Sequence, residues 1–315
     1  MKRVVVRSFG PPSVLHVEDM GEVAARPDQI VVRVHAVGIN PVETYVRNGL
    51  YDPLPSLPYT PGTDAAGTIE SVGSEVAKGF SVGQRVWLTG SVSGCYASRA
   101  VCNPADVHKL PDHVSFEQGA ALGIPYRTAY RALALIAQAK RGESVLVHGA
   151  TGGVGMAALQ VSRMLGLGPI VATTSSCEES VIELLKSNGA DLVVKHGNFE
   201  DKLDIILENL ANVNLGKDLK LLKRNGRVIV VGNRGEVTIN PRDLMRCEGS
   251  IRGLVGAGSV EDKQVIDAAI QQGLESGEIN PVVGIKFEIS QVALAHDEVM
   301  SHSLGTRGKI VVLLP

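Results

Sequence analysis

The segment VLVHGATGGVGMAALQ (Val145–Gln160) decides the fold. It begins as a short apolar strand, passes through Gly149, Gly152, Gly153 and Gly155, and continues directly as a helical pattern. A pyrophosphate binds to backbone N–H groups at a helix N-terminus, and side chains at those positions would block its approach. No Lys-Ser or Lys-Thr follows the last glycine, which excludes a nucleoside-triphosphate P-loop. The segment therefore predicts a dinucleotide-binding turn between a strand and a helix.

The residues around this turn alternate between apolar strands and helical patterns. β-branched apolar strands separated by helices are typical of a parallel sheet that is covered on both faces. The sequence therefore predicts an α/β class, with a doubly wound parallel sheet in this part of the chain. The predicted strands are Ser144–His148, Pro169–Thr174, Asp191–Lys195, Asp204–Glu208 and Arg227–Val231, and the predicted helices are Val154–Leu165, Glu178–Ser187, Leu215–Leu222 and Glu261–Ser276.

The two ends of the chain have a different pattern. Short β-like runs such as Ile30–Val37 alternate with Gly- and Pro-containing turns up to about residue 110. After the helix that ends at Ser276, strands are predicted again at Val282–Phe287 and Lys309–Leu314, with a helix near Gln291–His302. We therefore expect residues 1–122 and 282–315 to form one β-rich domain, and residues 123–281 to be inserted as an α/β domain.

Composition limits the class of protein. The chain has 315 residues, of which 44% are apolar and 20% charged, and a formal net charge of −2, which is ordinary for a globular protein. No basic surplus indicates nucleic acid or an anionic membrane as a partner, and no stretch has the length of a membrane span. The N-terminus predicts a strand rather than a signal peptide. Cys95, Cys102, Cys177 and Cys247 lie far apart, which is typical of reduced thiols, and we expect a cytoplasmic protein.

The end of the second predicted strand bears on which nucleotide binds. Proteins that bind NAD usually carry an acidic residue there for the ribose 2′-hydroxyl. This chain has Thr174, Ser175 and Ser176, which are small donors compatible with a 2′-phosphate, although Ser176 also fits a helix cap ahead of Glu179. The missing acid favours NADPH over NADH.

Seven stretches resemble the medium-chain dehydrogenase/reductase family, and within it the quinone oxidoreductase group that includes ζ-crystallin. Together they cover nearly the whole chain, and LANVNL and INPRD are specific to the ζ-crystallin-like members. The stretches are HAVGINPVETYVRNGLY (His35–Tyr51), LPYTPGTDAAG (Leu57–Gly67), GIPYRTAYRAL (Gly123–Leu133), GESVLVHGATGGVG (Gly142–Gly155), LANVNLGKDLKLL (Leu210–Leu222), GRVIVVGNRG (Gly226–Gly235) and INPRDLM (Ile239–Met245).

The resemblance implies a GroES-like catalytic domain, a Rossmann domain and an active site in the cleft between them. Zinc-dependent members of the superfamily carry a Cys ligand, a Gly-His-Glu and a lobe of four cysteines. This chain has Asn40 in the region of the Cys, Thr63-Asp64 in place of His-Glu, and no such lobe. His35, Asp64 and His108 are conceivable ligands, but their spacing does not support a site. We therefore expect no metal.

The resemblance also implies roles for individual residues. Asn40 and Tyr45 are the expected catalytic residues, through hydrogen bonds and, for Tyr45, proton donation. Tyr45 is equally compatible with a half-buried structural role, and Thr128 with a helix-interior threonine bonded to the backbone. The expected NADPH contacts are Tyr45, Thr128, Gly152, Gly153, Val154, Gly155, Ser175, His196, Asn212, Gly232, Asn233, Arg234, Leu254, Val255, Gly256 and Arg307.

The sequence departs from its relatives in two places. The basic residue that many of them carry in the helix after the second strand is absent, and Ser180, Val181 and Glu183 stand nearby. Between His196 and Asp204 only residues 197–203 remain, where relatives have a full crossover helix. A parallel crossover usually needs at least about ten to twelve residues. Either the sheet is locally rearranged or this chain is a shortened variant with impaired adenosine binding, so we expect a distorted neighbourhood around His196 and no full helix at 197–203.

A protein without a Lewis acid reduces substrates that are already electrophilic, because its catalysis is mainly the positioning of the nicotinamide. The expected activity is therefore reduction of a quinone by NADPH. An enoyl or alkenal reductase, and a non-enzymatic crystallin or RNA-binding role, remain alternatives, although the weakly acidic composition speaks against RNA. The resemblance implies a homodimer or homotetramer and no association with a membrane.

Overall fold

The computed structural model describes residues 1–176, 178–256, 258–305 and 307–315. The chain forms two compact units, one of Met1–Ile124 with Pro281–Pro315 and the other of Pro125–Asn280. No helix in the described ranges is long and apolar enough to cross a membrane.

The strands and helices are numbered along the chain. The strands are β1 (Lys2–Val6), β2 (Leu15–Asp19), β3 (Ile30–Gly38), β4 (Asp64–Val72), β5 (Arg85–Thr89), β6 (Arg99–Cys102), β7 (Val107–Lys109), β8 (Val145–Val147), β9 (Ile170–Thr174), β10 (Leu192–Lys195), β11 (Leu203–Glu208), β12 (Leu222–Val230), β13 (Ser250–Gly253), β14 (Val283–Glu288) and β15 (Lys309–Leu313). The helices are α1 (Pro41–Arg47), α2 (Phe116–Gly119), α3 (Gly123–Tyr130), α4 (Gly153–Met164), α5 (Glu179–Ser187), α6 (Ala211–Leu221), α7 (Pro241–Cys247), α8 (Val260–Ser276) and α9 (Val292–Ser301).

The first unit is built around a sheet in the order β14-β15-β3-β4-β5-β7, with β6 paired to β3 and a separate β1–β2 hairpin. All pairs are antiparallel except β14–β15, so the last strands of the chain join the sheet formed by the first hundred residues. The domain bounds expected from the sequence, 1–122 with 282–315 and 123–281, stay a prediction. The apolar core includes Val32, Ile69, Leu88, Phe287 and Val312.

The second unit contains a six-stranded parallel sheet in the order β10-β9-β8-β11-β12-β13. Numbered along this unit the order is 3-2-1-4-5-6, the doubly wound arrangement. Leu146, Val171, Ile206 and Val228 share one core cluster with residues of α6. Their neighbours along the strands project to the opposite face and are also buried, so both faces are covered. The predicted α/β class and parallel sheet are confirmed.

The link between β10 and β11 contains no helix, as the sequence predicts. Lys195 and Leu203 are separated by three strand spacings across the sheet and by the rise of about six residues along the strands. The distance between them is therefore on the order of 25 Å. The eight Cα-to-Cα intervals between these residues span at most about 29 Å in an extended chain and only about 12 Å in a helix. A helix over the whole link would therefore be too short to connect the two strands. The link begins with a turn, in which the backbone N–H of Asn198 donates to the carbonyl oxygen of Lys195 (3.1 Å), and it continues to β11 without a helix. All six strands keep their pairing, so the sheet is not locally rearranged.

Phe199 in this link packs on the cluster that contains Leu146 and Val171. It covers apolar sheet surface that a crossover helix would otherwise cover.

We expect Phe199→Ala to lower the free energy of unfolding by about 1–3 kcal/mol, since the side chain is half-buried rather than fully buried. Urea unfolding followed by circular dichroism measures this change. Glu200→Ala, at the exposed neighbouring position, is the matched control and should stay within about 0.5 kcal/mol of the parent protein. Equal stability of the two variants would show that Phe199 does not cover the sheet.

Candidate active site and nucleotide site

The predicted nucleotide residues of the second unit follow the carboxyl ends of its parallel strands. The strand order reverses between β8 and β11, and ligands of doubly wound sheets bind at this switch point. The Gly-rich turn follows β8 there, and α4 begins at Gly153 with Gly152 as its N-cap. The Asn209 amide donates a hydrogen bond to the carbonyl oxygen of His148 and so ties the two strand ends together (2.8 Å).

Close backbone packing explains two of the glycines. A Cβ on Gly155 would overlap the carbonyl oxygen of Gly149 and the backbone of Ala150. A Cβ on Gly232 would overlap the carbonyl oxygen of Asn209. Gly152 differs, because a Cβ there would meet nothing closer than 3.5 Å, so the space in front of it is open to a ligand. The turn therefore has the open approach that a pyrophosphate needs.

Side chains hold the loops after β12 and β13. The backbone N–H of Arg234 donates to the side-chain oxygen of Asn212 (3.1 Å), so two predicted cofactor residues are brought together. The Arg131 guanidinium donates to the carbonyl oxygens of Val255 (2.9 Å) and Gly256 (3.2 Å). The exposed backbone of Val255 and Gly256 is therefore anchored by Arg131, a contact that no local sequence pattern indicates.

Three polar residues lie at or directly after the ends of β9 and β10. Ser175 is exposed at the end of β9, and His196 is half-buried at the end of β10. Lys195 is exposed and lies in register with Thr174 on the neighbouring strand. Ser176 accepts a hydrogen bond from the backbone of Glu178 (3.3 Å), but the N-cap of α5 is Glu178, so the expected cap at Ser176 is wrong by two residues.

Asn40 belongs to a buried polar cluster in the first unit. Its amide nitrogen donates to Asp64 Oδ2 (2.9 Å), and its side-chain oxygen accepts from the Lys309 ammonium. Lys309 also pairs with Asp64 Oδ2 (2.9 Å), and the three side chains are 4% exposed or less. The other oxygen of Asp64 accepts from the backbone of Ile124 (2.9 Å). Because Lys309 donates only, it fixes the orientation of the Asn40 amide.

A second buried network joins α1 to α9. Arg47 donates to His296 Nδ1 (3.2 Å), so Nε2 carries the ring proton and donates to the Tyr96 oxygen (3.1 Å). The Tyr96 hydroxyl in turn donates to Glu43 Oε2 (2.6 Å), which also accepts from the backbone of Asn40 (2.8 Å). The network therefore fixes the start of α1, where Asn40 is the N-cap.

Burial shifts the pKa values of this network. Burial, with the nearby charge of Asp64, raises the pKa of Glu43 to about 7. Burial and the charge of Arg47 lower the pKa of His296 to about 3. His296 is therefore neutral in the folded protein at all but very acidic pH.

The remaining predicted residues lie at separate places. Tyr45 is half-buried on α1, one turn from Asn40, Thr128 is half-buried on α3, and Arg307 is half-buried just before β15. The roles of all the predicted site residues stay predictions.

The conceivable zinc ligands do not converge. His35 stacks on Phe116 with ring centroids 4.4 Å apart, and His108 stacks on Trp87 at the same distance. Asp64 bonds Asn40 and Lys309 instead. The positions of Cys and His-Glu in the zinc-dependent members therefore contribute to a hydrogen-bonded cluster around an ammonium group.

Comparison with known proteins agrees with this geometry. Residues 26–112 match the alcohol dehydrogenase GroES-like domain, and residues 153–271 match the family described as zinc-binding dehydrogenase. The chain is 47% identical to human quinone oxidoreductase over 327 aligned residues, which cover 100% of the chain and 98% of that protein. The chain belongs to the medium-chain dehydrogenase/reductase family, among the quinone oxidoreductases.

Solved structures of this family have the same fold. The quinone oxidoreductase from Thermus thermophilus, solved also in complex with NADPH, matches with a TM-score of 0.84 and 29% identity, and each chain is fully covered. The Escherichia coli quinone oxidoreductase complexed with NADPH matches with a TM-score of 0.84 and 27% identity, again over the whole of both chains. The predicted GroES-like and Rossmann folds are thereby confirmed.

Several residues of the buried networks around Asn40 were not identified from the sequence. Lys309 was identified only as the start of a strand, although a lysine inside an apolar strand is itself a signal of a buried partner. Glu43, Tyr96 and His296 gave no local signal, because their partners are distant in the chain.

We expect Lys309→Met to destabilise the protein by about 3–5 kcal/mol, because it leaves Asp64 buried without its counter-charge. Lys309→Met combined with Asp64→Asn is the matched control and should recover much of the loss, since no unpaired charge then remains. Denaturant unfolding of the parent and both variants measures this. A double variant no more stable than the single one would contradict the argument.

The lowered pKa of His296 predicts a pH dependence. Unfolded histidine titrates near 6.5, so between about pH 3 and 6.5 the unfolded state binds a proton that the folded state does not. Its contribution to stability is present above pH 6.5 and is lost as pH falls, by up to about 1.4 kcal/mol per unit. The raised pKa of Glu43 acts in the opposite direction between about pH 4.5 and 7.

We expect His296→Gln to remove the pH-dependent contribution of His296 to stability. Gln can accept a hydrogen bond from Arg47 and donate one to Tyr96, but it does not titrate. Urea unfolding at several pH values measures the difference in the free energy of unfolding, parent minus variant. This difference should rise between pH 3 and 6.5 and be constant above pH 6.5. A difference that is constant throughout would contradict a neutral His296.

Proposed function

We propose that this protein is an enzyme that reduces a quinone with NADPH. The observation that carries the proposal is the Gly-rich turn at the switch point of the parallel sheet, with open space in front of Gly152. Full-length identity to a quinone oxidoreductase supports the substrate, and the NADPH complexes of the Thermus and Escherichia coli enzymes support the cofactor. We assign the first unit to the predicted catalytic domain and the second to the predicted NADPH-binding domain.

The second unit supplies the residues that would hold the cofactor. The backbone of Gly152–Gly155 fits the pyrophosphate, because the helix N-terminus there presents N–H groups. Asn212 and Arg234 are joined beside it, and Arg131 fixes the backbone of Val255 and Gly256 for the nicotinamide end. When bound, NADPH supplies the reducing equivalents from its nicotinamide ring.

Lys195 provides the cation that the helix after β9 lacks. It lies in register with Thr174, beside the exposed Ser175, where the structure has no acid at the strand end. An ammonium and a hydroxyl at this point suit a 2′-phosphate better than a 2′-hydroxyl. We therefore assign the preference for NADPH to Lys195 and Ser175.

The first unit supplies the substrate side. Lys309 and Asp64 each bond the Asn40 amide, which leaves its second N–H hydrogen to bond a carbonyl oxygen of the substrate. Tyr45, on the same short helix, is the proposed proton donor. A single hydrogen bond stabilises the developing charge less than a metal ion does, so the site suits carbonyls that accept hydride readily, such as those of quinones. We also propose a cytoplasmic homodimer or homotetramer.

The test is a titration of the protein with NADPH and NADH by nucleotide fluorescence, followed by addition of an ortho-quinone. We expect tighter binding of NADPH and oxidation of NADPH that depends on the quinone. Lys195→Ala should weaken NADPH about tenfold and leave NADH nearly unchanged, because only NADPH carries the 2′-phosphate. Lys186→Ala, an exposed lysine in the last turn of α5, is the control and should bind both nucleotides like the parent.

Equal loss of NADPH and NADH affinity in Lys195→Ala would contradict the role of Lys195. Binding of neither nucleotide by the parent protein would contradict the enzyme assignment. Turnover of enoyl or alkenal substrates without turnover of quinones would replace the proposed substrate class by the alternative one.

A further inference from the structure

Three buried ionisable side chains meet in the second unit. His148 directly follows β8, Glu208 ends β11, and Asp218 lies on α6. Their exposed fractions are 5%, 0% and 1%. Nothing in the proposed reduction of a quinone uses them.

The donor atoms of the three residues converge. His148 Nε2 lies 2.9 Å from Asp218 Oδ1 and 3.7 Å from Glu208 Oε2. One donor atom from each residue falls within 4.8 Å of the other two. The second ring nitrogen, His148 Nδ1, lies 3.1 Å from Thr173 Oγ1, so the ring is held from its outer side.

The two carboxyl groups have no donor for one oxygen each as long as both are ionised. Within the described residues, Glu208 Oε2 and Asp218 Oδ2 are buried and accept no hydrogen bond from another group, and only a proton held between the two carboxyls would join them. The other oxygen of Glu208 accepts from the backbone of Leu210 and from Asn214 (3.4 Å), which fixes the direction of the carboxylate. Two buried carboxylates next to a neutral imidazole are costly unless a positive charge joins them. One proton neutralises one of them, whereas a divalent cation neutralises both.

We propose that His148, Glu208 and Asp218 bind one divalent transition-metal ion, of the kind represented by Zn²⁺. Metal–ligand bonds of about 2.0–2.2 Å in tetrahedral geometry separate neighbouring donors by roughly 3.3 Å, and the observed 2.9 and 3.7 Å lie on either side of this value. An imidazole among the ligands favours Zn²⁺ over Mg²⁺ or Ca²⁺. Three protein ligands leave one position for water.

The surroundings of the site suit a metal ligand. With the ion on His148 Nε2, the Nδ1–H group donates to Thr173 Oγ1, which is the outer hydrogen bond that metal-binding histidines make. The half-buried His196 stacks on His148 with centroids 5.7 Å apart, so the site lies one ring away from solvent. Burial and the neighbouring Asp218 raise the pKa of Glu208 to about 8, so a proton competes with the ion.

This ion would join the ends of β8 and β11 to α6, immediately before the Gly-rich turn. Its fourth ligand is water, so the site is of the open type, and the ion has no part in the proposed reduction of a quinone. The inference amends the sequence-based expectation of no metal, which concerned the ligand positions of the zinc-dependent members.

The test is calorimetric titration of the full-length, chelator-treated protein with Zn²⁺ in the absence of nucleotide, with the bound metal counted by mass spectrometry. We expect one Zn²⁺ per chain in the parent protein. Glu208→Gln and Asp218→Asn should weaken binding at least about 100-fold, since even the loss of an outer hydrogen-bond partner costs 10- to 100-fold. The control is Asp243→Asn, which changes a buried carboxylate of the same unit that pairs with Arg246 and should bind like the parent.

A second measurement needs no variant and decides the question if the variants do not fold. Co²⁺ added to the parent protein should shift the ring-proton resonances of His148 more than those of His196, because only His148 is a ligand. Equal Zn²⁺ affinity in all four proteins, or His148 resonances that Co²⁺ leaves in place, would overturn the proposal. The cluster would then be a pair of carboxyl groups that share a proton.

Discussion

The parallel alignment of six strands in the second unit is the constraint on which the proposed site depends. Because every strand runs in the same direction, the residues that follow them meet at one edge of the sheet. The Gly-rich turn, Asn212, Gly232 and the loop after β13 are distant in sequence and reach the same edge for this reason. Hydrogen bonds then fix the loops, as the Arg131 guanidinium does for the backbone of Val255. A site of this kind needs few specific side chains, because the strand order positions the backbone.

The site in the first unit is positioned in a different way. Neighbouring strands such as β3, β4 and β5 are antiparallel, so their carboxyl ends lie at opposite edges of the sheet and do not define one binding edge. The Asn40 cluster depends on a buried charge pair, Lys309 with Asp64, which lies between strands far apart in the chain. A buried pair contributes little net stability, but the removal of one partner is costly. The pair fixes the orientation of the Asn40 amide. The proposed substrate site therefore relies on side-chain orientation, whereas the proposed nucleotide site relies on backbone placement.

This difference explains what could be predicted from the sequence. Local sequence patterns predict the turn at Gly152–Gly155, the order of strands and helices, and the absence of a helix after His196. Hydrophobic periodicity, the positions of glycines and the length of a link can each be recognised within a short stretch of sequence. Lys309 and Asp64 are 245 positions apart, and no pattern within either segment shows that they meet. The role of Lys195 also required the register of β10 on β9, which propensity does not determine. Contacts between distant segments are what the sequence alone leaves out.

The short link between β10 and β11, which contains a turn but no helix, bears on the proposed nucleotide site. A crossover helix would place its own side chains beside the adenosine end of the nucleotide site, and residues 197–202 contain none. Ser175, Lys195 and His196 stand there instead, all at the ends of paired strands or directly after them. Strand pairing holds these positions more firmly than a seven-residue loop could, because the ladder hydrogen bonds of β10 with β9 continue to Lys195. The alignment with the human protein spans 327 positions against 315 residues in this chain, so the relative is longer within the aligned span. A shorter link is compatible with nucleotide binding because the sheet, rather than the crossover, places the residues proposed to contact the ribose.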